Sequence, residues 1–159
     1  MININSNYGA DVILLEHAQL LVEQIKDKPL IGSEFGVAWG GGVEAVGKLW
    51  KDCGGTIYGF DTFEGMPKQA ATAIDSPEAT AMDGWYKKYG TEGLDCDYQR
   101  KILDEEGLTN VILKKGLLNS QSLKDIPYLH YVLFDLDLIA PTVLAWTLIR
   151  PPFLACLVQ

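Results

Sequence analysis

Hydrophobic residues along this chain recur in two ways, at helical spacing and in short continuous runs. Helical spacing, with apolar residues every third or fourth position, predicts four helices: Asp11–Lys26, Val43–Lys51, Asp97–Glu106 and Pro141 to about Ile149. Short apolar runs bounded by turn residues predict five strands: Leu30–Val37, Thr56–Phe60, Asn110–Leu113, Tyr128–Phe134 and Phe153–Val158. The fourth run is almost continuously apolar, as expected for a strand that is covered on both faces.

The alternation of helices and strands predicts an α/β fold, with a parallel sheet that carries helices on both faces. The 159 residues suffice for one domain with its own core, so we expect residues 1–159 to form a single Rossmann-like domain. Because the sequence ends just after the fifth predicted strand, we expect the sheet to be truncated there. The long connection 61–95, part of which is predicted to be helical (Glu78–Tyr89), is expected to act as a lid or insert over a binding site.

Charge and composition argue against several classes of partner. The net charge is −8, from 21 acidic and 13 basic residues, which opposes binding to nucleic-acid phosphates or to an anionic membrane surface. No apolar run approaches the roughly 20 residues of a transmembrane helix, and the N-terminal segment lacks the pattern of a secretory signal. We therefore expect a cytoplasmic protein that binds neither nucleic acid nor membranes. The cysteines are widely spaced and expected to be reduced, and the histidines are expected to be structural.

A glycine-rich turn follows the first predicted strand. Gly40, Gly41 and Gly42 come directly before the second predicted helix. Glycine lets the backbone turn sharply and approach a ligand closely, and the N–H groups at a helix start favour polar or anionic ligand atoms. A plain tight turn without any ligand remains the alternative.

An acid follows the second predicted strand, because Asp61 lies 21 residues after Gly40. At this separation an aspartate can accept hydrogen bonds from both ribose hydroxyls of an adenosine-containing cofactor, although a surface aspartate that opens a loop is also possible. Glu34 helps to distinguish NAD from S-adenosylmethionine as the cofactor. A carboxylate beside the turn repels the pyrophosphate of NAD but attracts the ammonium group of a methionine moiety. The turn also departs from G-x-G-x-x-G. S-Adenosylmethionine is therefore favoured over NAD, and a nicotinamide-dependent oxidoreductase is the disfavoured alternative.

Two carboxylates, Asp135 and Asp137, flank Leu136 at the end of the fourth predicted strand. On an extended chain this spacing points both side chains to one face. Two neighbouring carboxylates either raise one pKa or bind a hard cation such as Mg²⁺. The alternative is a pair of acids that cap the following helix.

Four segments carry these features: E-F-G-V-A-W-G-G-G (Glu34–Gly42), G-F-D-T-F-E-G-M-P (Gly59–Pro67), K-K-G-L-L (Lys114–Leu118) and F-D-L-D-L (Phe134–Leu138). Together they resemble the macrocin O-methyltransferase family of class I S-adenosylmethionine-dependent methyltransferases, over roughly Leu30 to Trp146. The resemblance implies a Rossmann-like methyltransferase fold and methylation of a hydroxyl group on a sugar or natural product. It implies a metal ligand at Asp135 and a general base at Asp137 that deprotonates the acceptor hydroxyl. The cofactor contacts that it implies are Glu34, Gly36, Ala38, Gly40, Gly41, Asp61, Thr62, Gly116 and Leu117.

The sequence departs from this family in two places. The family continues past the fifth strand with an Asp-Asp-Tyr motif that completes the metal site, and it tends to have a Tyr-Glu-Ser run where this chain has Ile139-Ala140-Pro141. Two hypotheses follow. One is a metal-assisted O-methyltransferase for a small hydroxylated acceptor, and the other is a catalytically silent fragment that binds cofactor or only self-associates. The apolar edge of the fifth strand is expected to be covered in a homodimer.

Overall fold

The computed structural model describes residues 10–26, 28–66, 75 and 94–157. Its helices are α1 (Ala10–Gln24), α2 (Gly41–Trp50), α3 (Cys96–Glu105) and α4 (Ile139–Leu157), and its strands are β1 (Ile31–Phe35), β2 (Thr56–Asp61), β3 (Val111–Lys115) and β4 (Tyr131–Phe134). All neighbouring strands pair in parallel, in the order β3-β2-β1-β4. The predicted α/β fold with a parallel sheet is confirmed.

The sheet separates two hydrophobic clusters. On one face, Trp50, Val43 and Ile57 belong to a cluster that also takes in α1 and α3. On the other face, Phe35 stacks between Phe60 and Phe134, with ring centroids 5.0 and 5.5 Å apart, and α4 packs over them. Helices therefore cover both faces of the sheet, as the sequence predicts.

Helix α2 shows why the local sequence folds as it does. Its buried residues Val43, Val46, Gly47 and Trp50 follow the helical spacing of a single apolar stripe. The Trp50 indole N–H donates to the Ala18 carbonyl at 3.0 Å and so ties α2 to α1. A 3₁₀ turn follows the helix and ends at a glycine in the left-handed conformation. Helix α2 is therefore fixed against the sheet, and its first turn lies at the end of β1.

The fifth predicted strand is wrong. Helix α4 continues through Leu157, past Pro151 and Pro152, and the described part of the chain contains no strand beyond β4. A short apolar run fits a buried helix as well as a buried strand, so its hydrophobicity alone does not distinguish the two. Among the described strands β4 lies at the edge of the sheet, so the apolar edge of a fifth strand no longer supports dimerisation.

The connection 61–95 is described only at its ends and at one residue between them. The predicted helix Glu78–Tyr89 lies outside the described residues. Asp75 accepts a hydrogen bond from the backbone N–H of Ile139 at 2.8 Å, which brings this point of the connection to the first residue of α4. Among the residues with described structure, no helix is long and apolar enough to cross a membrane.

Candidate functional site

The carboxyl end of β1 is the point at which the order of the strands reverses. β1 pairs with β2 on one side and with β4 on the other. Hydrogen bonds join the three strand ends, because Gly36 N–H donates to the Phe60 carbonyl at 2.8 Å and Asp135 N–H donates to the Phe35 carbonyl at 2.7 Å. Open parallel sheets bind ligands at such a reversal, beyond the carboxyl ends of the strands. The glycine turn, Asp61 and Asp135 all lie at this edge.

The β1–α2 turn (Gly36–Gly40) has an unusual backbone. Gly36, Ala38 and Gly40 have φ angles of 91°, 47° and 85°. A Cβ on Gly36 would clash with the backbone carbonyl of Asp135 and would lie 2.6 Å from its carbon atom. Glycine is therefore required at this position both by its conformation and by the close approach of the Asp135 backbone.

Asp61 joins the end of β2 to this turn. Its Oδ2 accepts hydrogen bonds from the N–H groups of Val37 and Ala38, at 2.8 and 3.0 Å, and its Oδ1 accepts one from Phe63 at 2.9 Å. The structure thus brings Asp61 and the glycine turn together. In this arrangement the carboxylate binds backbone N–H groups of the turn, and its contact with a ribose stays a prediction.

Glu34 lies beneath the start of α2. Its side chain is only 5% exposed, and a Cβ on Gly42 would come within 2.6 Å of its Oε1. A glycine at this position leaves room for the carboxylate, and the N-terminal end of a helix favours a negative charge. The structure therefore places a carboxylate at the turn, while its contact with a methionine ammonium group stays a prediction.

Three other predicted residues lie beside Asp61. The Thr62 hydroxyl donates to the Gly65 carbonyl at 2.7 Å, so it stabilises its own turn. Gly116 donates its N–H to the Asp61 carbonyl at 2.9 Å, and Leu117 is 56% exposed next to it. Gly41, at the first position of α2, has open space where a Cβ would lie. These residues border the same edge, and their contacts with a cofactor stay predictions.

Gln99 contacts the turn but is not identified by the sequence analysis. It lies on α3, is 4% exposed, and donates from Nε2 to the Ala38 carbonyl at 2.5 Å. A Cβ on Gly40 would lie 2.8 Å from its Oε1. The only signal in the sequence is that Gln99 shares the apolar stripe of α3 with Leu103, where a polar residue is unexpected.

Asp135 and Asp137 follow β4 rather than belonging to it. Asp137 has a φ of 59°, and the N–H of Leu138 donates to the Leu136 carbonyl at 2.7 Å across it, which makes a tight γ-turn. The strand alternation that predicts a shared face therefore does not apply to this pair. Partial desolvation raises the pKa of the Asp137 carboxyl, and the charge of Asp135 raises it further.

Both acids border an open cleft of about 290 Å³. Its walls are mainly apolar, and its lining residues are Phe134, Asp135, Leu136, Asp137, Leu138, Ile139, Thr142 and Val143. A cleft with apolar walls and a few polar groups is typical of a site for a small organic molecule. It lies at the same edge of the sheet as the β1–α2 turn, because Asp135 contacts Gly36.

The predicted magnesium site gains no support from these side chains. Across residues 10–26, 28–66, 75 and 94–157, no group of three or more His, Cys, Asp or Glu side chains comes together to hold a metal ion. Two adjacent carboxylates, one with a raised pKa, do not make a dedicated Mg²⁺ centre by themselves. Asp135 as a metal ligand stays a prediction.

Comparison with solved structures supports this description of the fold. The chain is similar to CalS11, a calicheamicin methyltransferase, with 26% identity and a TM-score of 0.64 over 89% of this chain and 60% of that chain. A second CalS11 structure, titled as an apo TDP-rhamnose 3'-O-methyltransferase of calicheamicin biosynthesis, matches with 27% identity and a TM-score of 0.51 over 89% and 58% of the chains. The O-methyltransferase NovP matches at 17% identity and a TM-score of 0.65, over 91% and 60%. No protein-family model and no curated protein matches the sequence.

These matches show that the chain has the Rossmann-like fold of these methyltransferases. The chain spans about 60% of the length of the solved structures that it matches.

Proposed function

We propose that this chain carries the S-adenosylmethionine site of an O-methyltransferase whose acceptor is the hydroxyl group of a sugar or natural product. The observation that carries the proposal is the junction of Asp61 with the β1–α2 turn, at the reversal point of the sheet and next to the acidic cleft. The similarity to CalS11, at 26% identity over 89% of this chain, supports the same chemistry.

The residues at this edge suit a nucleoside with a cationic amino-acid tail. Gly40 and Gly41 allow the backbone to approach a ligand, and the open space at Gly41 lies at the first turn of α2. Glu34 supplies a negative charge for an ammonium group, and Asp61 with Thr62 supplies acceptors for ribose hydroxyls. Gly116 and Leu117 would border the adenine. When bound, S-adenosylmethionine supplies an electrophilic methyl group on a sulfonium.

The cleft beside Asp135 and Asp137 suits the acceptor. A hydroxyl group is a weak nucleophile until a base takes its proton, and Asp137 is the carboxylate that we assign to this role. The apolar walls, including Leu138 and Val143, would contact the carbon skeleton of the acceptor and orient its hydroxyl group. The described residues do not by themselves form a metal centre, so turnover is measured both with and without Mg²⁺.

Ligand binding and turnover test this proposal. Calorimetry should detect saturable 1:1 binding of S-adenosylhomocysteine and no binding of NAD. Asp61→Ala should weaken S-adenosylhomocysteine binding by about 1–3 kcal/mol, because it removes the turn contacts and the proposed ribose acceptor together. Transfer of a labelled methyl group is then measured on a panel of nucleoside-diphosphate sugars and phenols, with and without Mg²⁺. Tight binding of NAD, or an Asp61→Ala variant that binds as the wild type does, would refute the assignment.

A second candidate function is a catalytically silent cofactor-binding or self-associating unit. The self-associating form of this candidate is favoured by an apolar stripe on α4. Ile139, Val143 and Trp146 are exposed along this helix at positions that share one face.

We propose a homodimer that buries this stripe, with cytoplasmic location as a further prediction. Light scattering at micromolar concentration tests it, and Val143→Glu with Trp146→Glu should give a monomer; a monomeric wild-type protein would refute it.

A further inference from the structure

Ala38 adopts a conformation that alanine seldom takes, and side chains from two other elements bind it there. Its φ is 47°, in the left-handed region that is unfavourable for residues with a Cβ. Its N–H donates to Asp61 Oδ2 at 3.0 Å, and its carbonyl accepts from Gln99 Nε2 at 2.5 Å. The conformation is therefore held by tertiary contacts and is not a local preference of the sequence.

Gln99 makes its contact at an unusual place for a glutamine. A fully buried amide is costly unless it is hydrogen-bonded, and Gln99 is 4% exposed on the buried face of α3. Its hydrogen bond to Ala38 joins residues that are 61 positions apart in the sequence. Its Oε1 also fills the space that a Cβ on Gly40 would need. The amide thus contacts both left-handed residues in the second half of the turn.

We propose that Gln99 is a positioning residue for the nucleoside site. Together with Asp61 it holds Ala38 in the left-handed conformation and so fixes the directions of the peptide groups between β1 and α2. This inference rests on the proposed function, because this turn is the one assigned to the cofactor. Without the Gln99 donor, Ala38 can relax to its preferred backbone region, and the turn is then correctly shaped for only a fraction of the time. The association constant of the ligand is multiplied by that fraction, so it falls as the fraction falls.

Gln99→Met tests the proposal, since methionine keeps the length of the side chain and removes its donor. Lys101→Met is the matched control, because Lys101 is exposed on the same helix and its ion pair with Glu105 is long, at 3.9 Å. Two quantities are measured: amide hydrogen exchange in the ligand-free protein, and S-adenosylhomocysteine affinity by calorimetry. In Gln99→Met, exchange of the Val37 and Ala38 amides should accelerate about tenfold and affinity should fall about tenfold. Exchange in β3 should stay at the wild-type rate.

The outcomes separate this inference from the proposed function. If exchange at Val37 and Ala38 is unchanged, or if exchange rises uniformly across the domain, Gln99 does not position the turn and the inference is overturned. If the wild type fails to bind S-adenosylhomocysteine, the proposed function fails, and the exchange experiment still decides the role of Gln99. Should Gln99→Met not fold, Gln99→Leu replaces it under the same criterion, because leucine fills a buried position and has no donor for the Ala38 carbonyl.

Discussion

Substitution of Gly36 by alanine places a methyl group against the backbone of Asp135, the residue directly after β4. Gly36 has a φ of 91°, and its new Cβ would clash with the Asp135 carbonyl, 2.6 Å from the carbon atom. The obstacle is backbone, so no change of side-chain rotamer relieves it. Either the end of β1 moves away from β4, or the residue leaves the left-handed region. Both changes distort the edge at which the glycine turn and the acidic cleft meet.

The expected cost has two parts. A left-handed conformation costs a residue with a Cβ roughly 1–2 kcal/mol. Forcing an extra methyl group into a packed site costs typically about 1–3 kcal/mol more. The sum, about 2–5 kcal/mol, is a large share of the roughly 5–15 kcal/mol by which an ordinary domain is stable. Gly36→Ala should therefore lower the free energy of unfolding severely.

Gly54→Ala separates the two parts. Gly54 also has a positive φ, 73°, but the space around its missing Cβ is open. Its substitution should carry only the conformational cost of roughly 1–2 kcal/mol. Urea unfolding of the two variants and the wild type measures the free energy of unfolding in each. The difference between the variants should be about 1–3 kcal/mol, with Gly36→Ala the less stable. Equal destabilisation of the two variants would show that the Asp135 backbone does not crowd Gly36 as described.

Three further substitutions test separate contacts. His130 Nδ1 accepts a hydrogen bond from the Ile31 N–H at 3.1 Å, and burial, with the Lys28 charge, lowers the pKa of His130 below its ordinary 6.5. As the pH falls, the unfolded chain therefore binds a proton at this imidazole before the folded protein does, and the free energy of unfolding decreases as the pH falls through that ordinary value. His130→Asn should reduce this decrease in urea unfolding measured at a series of pH values, and parallel pH dependences of the variant and the wild type would contradict this. Asp75→Ala should lower the free energy of unfolding by about 1 kcal/mol, because it removes the acceptor for the Ile139 N–H at the start of α4, whereas Asp75→Asn keeps an acceptor and should retain most of the stability. Equal melting temperatures for the two variants would contradict this role of Asp75. The buried Ser33 hydroxyl has no hydrogen-bond partner among the described residues, so Ser33→Ala should stabilise the protein by about 1 kcal/mol in urea unfolding, and a loss of stability would contradict this.

The sequence predicts the junction of the turn with Asp61 because parallel strands end at a common edge. The runs over β1 and β2 are apolar enough to be recognised, and Asp61 follows β2 directly. Helix α2 is predicted for a similar reason, since its apolar stripe and its terminal glycines both lie within the segment.

Other parts of the structure depend on contacts that leave no regular spacing. The C-terminal apolar run is helical, and hydrophobicity alone does not separate a buried helix from a buried strand. Gln99 contacts Ala38 from 61 positions away, so the sequence around either residue does not predict the contact. The direction of the Asp137 side chain depends on a left-handed backbone conformation, whereas the prediction for F-D-L-D-L assumes an extended strand.

Titration of the isotope-labelled protein with S-adenosylhomocysteine, followed by backbone amide chemical shifts, tests the central claim most directly. The account predicts saturable shifts at Gly36, Gly40, Gly41 and Gly116, which border the carboxyl edge of the sheet around Asp61. Amides in α1, on the face of the sheet away from α4, should keep their positions. An absence of saturable shifts, or shifts that map to a different part of the molecule, would contradict the assignment of this edge as a nucleoside site.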